Sequence, residues 1–311
     1  MPVTPTRQAQ DATFFIAVWR WLMVVALLLL GSAAVARAVQ ITDDRAVVVT
    51  LAQPPQRIIS LMPALTETIC ALGQCARLVG VDRDSNFPDS VRRLATVGGG
   101  LDPNIEAIVA LRPDVVVMAA SARSQERLQQ LGLKVVALEP KNHADVQRVI
   151  SQLGVLLGLP DASALWRSID AEVAAAARSL PPSVQSARVY FEASVGMYAA
   201  GEASFIGETL ARLGVRNIVP ARMGPFPQLN PEYVVRADPD LIMVGDGHSL
   251  GLEQRPGWSG MRAIRAQRVC RFSTEQGDTL VRPGPRLAEG ARTMARCLRD
   301  KLASPAGGQT P

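Results

Sequence analysis

The sequence predicts an α/β protein of two similar lobes, each with a mostly parallel sheet flanked by helices. Three observations predict this class: short apolar strands alternate with amphipathic helices, two phrases recur, and a helical stretch separates the two halves. One phrase reads NIEAIVALRPDVVVM at residues 104–118 and NPEYVVRADPDLIMV at 230–244. The other reads ETICALG at 67–73 and ETLARLG at 208–214. The two offsets differ, so we expect duplicated lobes that differ by loop insertions.

The first half of the chain alternates strands and helices. Strands are predicted at residues 57–61, 78–81, 115–118 and 134–138, and helices at 64–72, 104–111 and 124–131. The apolar, β-branched run VVVM at 115–118 is typical of a strand that is buried on both faces. Alternation of this kind indicates a parallel sheet whose strands are joined by crossover helices.

The second half repeats this plan. Strands are predicted at residues 188–191, 241–244 and 268–272, and helices at 206–213, 231–237 and 286–301. Gly214 follows the predicted helix of the ETLARLG phrase, as Gly73 follows that of ETICALG, and glycine is the usual residue just past a helix end. We therefore predict an N-terminal lobe at residues 39–141 and a C-terminal lobe at 183–303, with a flexible tail at 304–311.

Residues 142–182 are predicted to be connecting helices. Asn142 fits the N-cap of a helix that runs to Leu157, and Gly158-Leu159-Pro160 interrupts it. Residues 161–179 then continue as an Ala-rich helix. A helix of about 20 residues spans roughly 30 Å, so the sequence predicts that one long rigid helix joins the lobes.

The N-terminal residues 1–38 have the pattern of a secretory signal peptide. Arginines precede an uncharged apolar run at 21–36, and Ala36-Arg37-Ala38 fits a small-x-small cleavage site. The alternative is a retained membrane anchor, although the run is short against the roughly 20 residues of a spanning helix. No cysteine follows the run directly, which argues against a lipid anchor there. We therefore expect cleavage after Ala38 and a periplasmic location.

The four cysteines are Cys70, Cys75, Cys270 and Cys297. Export to an oxidising compartment makes disulfides plausible, and four cysteines allow three pairings. We favour Cys70–Cys75 and Cys270–Cys297, because each pair falls within one predicted lobe. Buried free thiols are the alternative.

The remaining composition excludes several classes. The net charge of +5 is mild and the sequence contains no basic stripe, which argues against nucleic acid as a partner. Two histidines and no paired C-x-x-C argue against a metal site. The chain lacks G-x-S-x-G and the Walker A pattern, so we predict no catalytic residue and no cofactor. We also expect the protein to be a monomer. A paired-acid enzyme using Glu67 and Glu208 and a structural scaffold are the distant alternatives; helix-surface or capping roles suit both glutamates better.

Each copy of the longer phrase places a glutamate in the first turn of a helix. Asn104 and Asn230 fit N-caps, and Pro231 fits the first helical position. Glu106 and Glu232 then lie two residues beyond their caps, where the helix dipole favours a carboxylate by about 0.3–1 kcal/mol. Helix stabilisation is one interpretation. The other is a matched pair of acidic contacts for a two-fold membrane partner.

Five segments of the chain together resemble a known family. They are RIISLMPALTETICALG, VGVDRDSNFP, NIEAIVALRPDVVV, NPEYVVRADPDLIMV and DTLVRPGPR. Residues 57–300 are similar to the periplasmic binding proteins of iron-chelate, haem and vitamin B12 ABC importers. The resemblance implies class III architecture, with a ligand in the cleft between two lobes. It also implies one exposed glutamate per lobe that forms a salt bridge with the permease dimer in the inner membrane, and these glutamates match Glu106 and Glu232.

The resemblance is greatest to the cobalamin-binding members, which implies a bulky cargo. We expect cobalamin or a related corrinoid, with haem or a ferric siderophore as the alternative. Phe226 matches a cleft aromatic, and Asp278 and Arg282 match the ends of a ligand-touching loop. The sequence departs from the family where aromatic residues line the cleft walls, at Asp84, Gly100 and Ala119.

Three further ligand candidates come from loops that follow predicted strands, where open α/β sheets place ligand contacts. They are Arg123, Tyr198 and His248. Their alternatives are a surface arginine, a packing tyrosine and a solvated loop histidine. If the cargo carries a metal or carboxylates, we expect Arg123, His248 and Arg282 to contact it.

Overall fold

Residues 38–245 and 251–303 of the 311-residue chain are described by the computed structural model. The predicted signal segment up to residue 37, the tail 304–311 and His248 therefore lie outside the described residues. Among the helices that are described, none is long and apolar enough to cross a bilayer.

The described chain begins with a β-hairpin that the sequence analysis did not predict. It consists of β1 (Val39–Thr42) and β2 (Val48–Leu51), which pair antiparallel. Alternate residues of both strands are buried and pack into the core of the N-terminal lobe. The hairpin therefore covers part of that lobe's core and belongs to it.

The N-terminal lobe is a five-stranded parallel sheet with helices between its strands. Its strands are β3 (Ile58–Ser60), β4 (Leu78–Val81), β5 (Ala95–Thr96), β6 (Val115–Met118) and β7 (Val135–Ala137), in the order β5-β4-β3-β6-β7. Its helices are α1 (Pro63–Ala71), α2 (Ile105–Ala110) and α3 (Gln125–Gln130). All four residues of β6 are buried, as the uninterrupted apolar run predicts for a central strand.

Two helices follow the N-terminal lobe in the sequence, α4 (His143–Leu157) and α5 (Ser163–Arg178). Helix α4 ends at Gly158, whose φ of 71° lies in the left-handed region that suits glycine.

The C-terminal lobe repeats the arrangement. Its strands are β8 (Arg188–Ser194), β9 (Tyr198–Ala199), β10 (Arg216–Asn217), β11 (Leu241–Gly245) and β12 (Val269–Phe272). The order β10-β8-β11-β12 is parallel throughout, and β9 pairs antiparallel with β8. Its helices are α6 (Phe205–Arg212), α7 (Pro231–Ala237), α8 (Arg262–Arg265), α9 (Thr274–Val281) and α10 (Leu287–Leu298). The predicted two-lobe α/β class is confirmed.

The repeated phrase builds the same helix–turn–strand unit in each lobe. In the first copy, the Asp114 carboxylate accepts the backbone N–H of Arg57, at the start of the neighbouring strand, at 2.9 Å. In the second, the Asp240 carboxylate accepts the backbone N–H of Arg188 in the same way at 2.8 Å. The Pro-Asp pair of each copy therefore fixes the turn between the helix and the central strand that follows it. This role explains why the pair occurs in both copies.

One helix joins the lobes, as predicted, but it is α4 and not the Ala-rich segment. Helix α5 buries Ile169, Val173 and Ala176 in the C-terminal core alone. Helix α4 joins the lobes instead, because Val146 and Ile150 pack in the C-terminal core and its remaining buried apolar side chains pack in the N-terminal one. Its 15 residues span about 22 Å. Helical propensity favoured the Ala-rich segment, but burial of both faces selects α4.

His143 occupies the junction between α4 and the C-terminal lobe. Its side chain is buried, and its Nε2 lies 2.9 Å from the Thr209 hydroxyl and 3.2 Å from the Phe205 carbonyl oxygen. Burial lowers the pKa of the imidazole, against an opposing influence of the nearby Glu208 carboxylate. The neutral imidazole therefore suits the folded protein.

The pKa shift of His143 predicts an acid-sensitive stability. The pKa of His143 in the folded protein lies below its ordinary value of about 6.5. The stability that the buried neutral imidazole contributes is therefore fully present above about pH 6.5, and it is lost as the pH falls through the folded-state pKa. We expect the free energy of unfolding to fall by up to about 1.4 kcal/mol per pH unit in this window. Urea titrations from pH 7.5 to 5 of wild type and His143→Asn measure it. An equally steep loss in the variant would contradict the assignment.

The structure joins Cys70 to Cys75 and Cys270 to Cys297, the pairing that the sequence favoured. The first disulfide closes a short loop after α1. The second ties β12 to α10, and both of its cysteines are buried in the C-terminal core.

Candidate functional site

Two hollows lie at the carboxyl ends of the parallel strands, one in each lobe. The N-lobe hollow, of about 270 Å³, is lined by Leu61, Met62, Pro63, Asp82, Arg83, Asp84, Gly99, Gly100, Leu101, Asp102, Ala119, Ser121 and Ala122. The C-lobe hollow, of about 290 Å³, is lined by Phe191, Glu192, Ala193, Gly245, Phe272, Ser273, Thr274, Gly277, Asp278, Leu280 and Val281. Ligands of open α/β sheets bind at this end of the strands. A third hollow, near the β1–β2 hairpin, is formed by β2 and the segment leading into β7.

A contact between the lobes lies directly between the two hollows. The Nη2 atom of Arg282 donates to the backbone oxygen of Asp84 at 3.0 Å and lies 2.8 Å from the Asp278 carboxylate. Asp84 lines the N-lobe hollow and Asp278 lines the C-lobe hollow. The hollows are therefore neighbouring parts of one inter-lobe cleft. Each hollow alone is at the lower bound of ordinary ligand sites, which have volumes of about 300–1,000 Å³.

The wall of the N-lobe hollow rests on a buried hydroxyl network. The Ser85 hydroxyl donates to the Asp82 carboxylate at 2.7 Å and lies 2.9 Å from the Thr66 hydroxyl, which in turn donates to Ser60. Burial raises the pKa of Asp82, although the hydrogen bond from Ser85 opposes the rise. Asp84 differs from Asp82, since its side chain is exposed and forms no hydrogen bond or ion pair with another described residue. It therefore offers a free carboxylate to the cleft.

The wall of the C-lobe hollow contains a buried ion pair. Glu192 accepts two hydrogen bonds from Arg255, at 2.6 and 2.9 Å, and one from the Tyr190 hydroxyl at 3.0 Å. Burial raises the pKa of the Tyr190 phenol, and the Glu192 carboxylate raises it further. The guanidinium of Arg255 also lies over the ring of Trp258, 4.6 Å from its centroid. The indole thus sits one residue behind the lining of the cleft.

The described lining of the cleft is rich in hydrogen-bond acceptors and poor in free cations. Its acidic members are Asp82, Asp84, Asp102, Glu192 and Asp278. Arg83 is the one basic residue among the described residues that line the N-lobe and C-lobe hollows, and it is paired with Asp102. The lining therefore suits a ligand that donates hydrogen bonds better than one that presents carboxylates.

The predicted ligand residues are spread around this cleft. Arg123 is exposed beside Ala122 of the N-lobe lining, with no contact to another described residue. Tyr198 in β9 and Phe226 are 43% and 39% exposed, and the Phe226 ring packs 6.2 Å from that of Phe205. Neither Tyr198 nor Phe226 lines the two hollows. His248 lies outside the described residues. The ligand roles of these four residues stay predictions.

Asp278 and Arg282, the other two predicted ligand residues, differ in exposure. Asp278 lines the C-lobe hollow, whereas Arg282 is only 9% exposed and points its guanidinium at the other lobe, where Glu67 accepts from Nη1 at 2.9 Å. Helix-surface or capping roles were predicted for Glu67, and the structure corrects this, because Glu67 is 2% exposed and pairs with Arg282 and Arg286. The contact joins residues that are distant in sequence, so no local pattern signals it.

Glu106 and Glu232 occupy matching places on the two lobes. The Asn104 side chain accepts the backbone N–H of Ala107, and that of Asn230 accepts the backbone N–H of Glu232, each at 2.9 Å. Both glutamates lie in the first helical turn, are exposed, and contact no other described side chain. Asp84, Gly100 and Ala119, where the family resemblance fails, all line the N-lobe hollow.

Comparisons with known proteins give one consistent family. A family profile described as "Periplasmic binding protein" matches residues 58–274. The chain is 29% identical over 263 residues to an uncharacterised ABC transporter substrate-binding lipoprotein, YvrC, of Bacillus subtilis, covering 80% of this chain and 82% of that protein. It is 25% identical over 260 residues to a vitamin B12-binding protein of Pectobacterium atrosepticum, covering 81% and 91%.

A solved structure extends the comparison to a second cargo. A periplasmic haem-binding protein from Pseudomonas aeruginosa superposes with a TM-score of 0.65 at 27% identity, covering 80% of this chain and 94% of that chain. Relatives of similar likeness thus include proteins named for vitamin B12 and for haem.

Proposed function

The chain belongs to the periplasmic binding protein family and is a substrate-binding protein of an ABC importer for a bulky ligand, and from this premise we propose that its cargo is cobalamin or a related corrinoid. The cargo occupies the cleft between the lobes and is delivered to a permease. Members of this family bind and deliver ligands without catalysis.

The chemistry of the cleft lining carries the choice of cargo. A corrinoid presents primary amides around its ring, which donate hydrogen bonds to carboxylates and carbonyl groups. The lining supplies such acceptors at Asp84, Asp278 and Ser273. Haem presents propionate carboxylates, which the unpaired carboxylate of Asp84 repels, because like charges that face each other cost several kcal/mol. An acceptor-rich cleft without a free lining cation therefore favours the amide-bearing ligand.

Export and docking complete the proposal. Cleavage after Ala38 releases residues 39–311 into the periplasm, as two lobes at 39–141 and 183–303 joined through residues 142–182. The carboxylates of Glu106 and Glu232 then contact arginines of the two permease subunits in the inner membrane. The exposure of both glutamates and their equivalent positions in the two lobes support this role.

Haem or a ferric siderophore is the second candidate cargo. The likeness to the haem-binding protein of Pseudomonas aeruginosa favours it. Arg123, exposed beside the N-lobe lining, supplies a cation that a carboxylate-bearing ligand requires.

Calorimetric titration with cyanocobalamin, haemin and an iron(III) catecholate siderophore tests the cargo. We expect saturable binding of cyanocobalamin at least about tenfold tighter than that of the two anionic ligands, because the unpaired Asp84 carboxylate opposes anions. Trp166→Phe protein leaves Trp258 as the tryptophan closest to the C-lobe lining, and its fluorescence should be quenched by the same ligand.

Charge reversal at Asp84 supplies the matched control. Asp84→Lys should weaken cyanocobalamin binding and strengthen haemin binding, whereas Asp89→Lys, on an exposed side chain outside the lining, should change neither. Tighter binding of haemin than of cyanocobalamin by wild type would transfer the assignment to haem. Binding of none of the three ligands would refute the cargo proposal.

A further inference from the structure

Glu67 is the centre of a buried contact that crosses the lobe boundary. It lies in α1 of the N-terminal lobe, and both of its carboxylate oxygens are used. Oε1 accepts from Arg282 at 2.9 Å and from Arg286 at 2.8 Å, and Oε2 accepts from Arg286 Nε at 2.9 Å. Glu67 is 2% exposed and each arginine 9%. One carboxylate of the first lobe therefore holds two guanidinium groups of the second.

The same contact extends to both walls of the cleft. Arg282 donates to the side-chain oxygen of Asn86 at 2.7 Å, in addition to its bonds with Asp84 and Asp278. The Asn86 amide donates to the Asp278 carboxylate at 2.8 Å. The backbone of Asp84 and the side chain of Asp278, one on each wall, are thus held by groups that depend on Glu67.

The charge balance of this buried contact depends on the carboxylate of Glu67. Arginine stays protonated in proteins, and a buried charge requires an opposite charge and hydrogen bonds. Asp278 balances one guanidinium and Glu67 balances the other. Arg286 also donates to the Thr279 hydroxyl at 2.6 Å and lies over the ring of Phe87, neither of which supplies charge. The carboxylate of Glu289 also acts on Arg286, but it is exposed, so solvent screens it. Loss of the Glu67 carboxylate leaves a buried cation beside Arg282, which favours separation of the lobes here.

The second copy of the motif shows that this contact is specific to the first. Glu208 holds the equivalent place in α6 and accepts the backbone N–H of His143 at 2.6 Å. It therefore joins its own lobe to the connecting helix. Glu67 and Glu208 occupy the same position of the repeated phrase, but only Glu67 forms ion pairs with the opposite lobe.

We propose that Glu67 is a positioning residue of the ligand cleft: without touching the ligand, it fixes through Arg282 and Arg286 the relative placement of Asp84 and Asp278. The inference rests on the proposed function for the ligand, but the placement itself is a property of the empty protein.

Hydrogen exchange of the ligand-free protein is the first test. In Glu67→Gln, amides of residues 84–87 and of α9 should exchange at least about tenfold faster, since local opening becomes easier, while those of α3 and α7 should not change. Glu172→Gln is the matched control, because it removes an exposed ion pair with Arg292 of α10, the helix that begins directly after Arg286. If Glu67→Gln does not fold, Glu67→Gln with Arg286→Gln removes one charge of each sign and should show the same local increase. Unchanged exchange at residues 84–87 would overturn the proposal.

Calorimetry with cyanocobalamin is the second test. Glu67→Gln should weaken binding at least about tenfold, and it should have almost no further effect in an Asp278→Asn background, because two residues that act through one contact are not additive. Fully additive losses at a temperature where every variant is folded would mean a merely structural role and would overturn the proposal. If wild type does not bind cyanocobalamin, the cargo proposal fails, and the exchange experiment alone decides the role of Glu67.

Discussion

Replacement of both Glu106 and Glu232 by alanine is expected to reduce transport strongly and to leave cargo affinity unchanged. Both carboxylates are exposed, make no contact with another described side chain, and lie outside the lining of the cleft. Truncation of one partner of a hydrogen-bonded charge pair at an interface costs about 2–5 kcal/mol. Loss of both pairs should therefore reduce uptake at least about tenfold, whereas each helix loses only about 0.3–1 kcal/mol of dipole stabilisation.

Uptake of labelled cyanocobalamin into vesicles that contain the cognate permease, beside calorimetry of the soluble protein, measures both quantities. Glu126→Ala is the control, since it also removes an exposed first-turn glutamate that lies outside the lining of the cleft. Single variants at Glu106 or Glu232 should retain intermediate uptake. Full uptake by the double variant would show that docking uses other residues.

Removal of the Cys270–Cys297 disulfide is expected to cause the largest loss of stability among the cysteine variants. The bond ties β12 to α10 across a sequence separation of 27 residues, whereas Cys70 and Cys75 are separated by 5. Loop-closure entropy then gives about 3–4 kcal/mol for the longer loop and about 2 kcal/mol for the shorter one.

Urea unfolding of the double alanine variants at each pair measures the difference. The Cys70→Ala/Cys75→Ala protein serves as the control for the longer loop. A smaller loss from Cys270→Ala/Cys297→Ala than from that control would contradict the entropic argument.

The regular elements were predictable wherever the local pattern was strong. The run Val115–Met118 and the helix Pro231–Ala237 have the predicted bounds, because an unbroken β-branched segment and an Asn-Pro start are unambiguous local signals. The hairpin Val39–Thr42 with Val48–Leu51 was missed, since its strands are short and half exposed. Helix α9 was missed because its polar, Gly-containing sequence carries no apolar stripe.

The site was less accessible to sequence reasoning than the fold. Asp278 was found through the family resemblance and does line the cleft. Glu67 was given a local role because its decisive partners, Arg282 and Arg286, lie more than two hundred positions along the chain. These three charged side chains pair because they are buried together, and they are buried only once the two lobes have assembled.

The connecting helix α4 has a consequence for the history of this chain. Because its side chains complete the interior of both halves, neither half retains a finished interior once it is cut from the other. Neither repeat unit therefore has a complete core by itself. A gene fragment that encodes one unit without helix α4 would expose the apolar surface that this helix covers in the intact protein. Recombination that exchanges single halves among relatives must therefore also exchange helix α4, or must change the side chains on both of its packed faces.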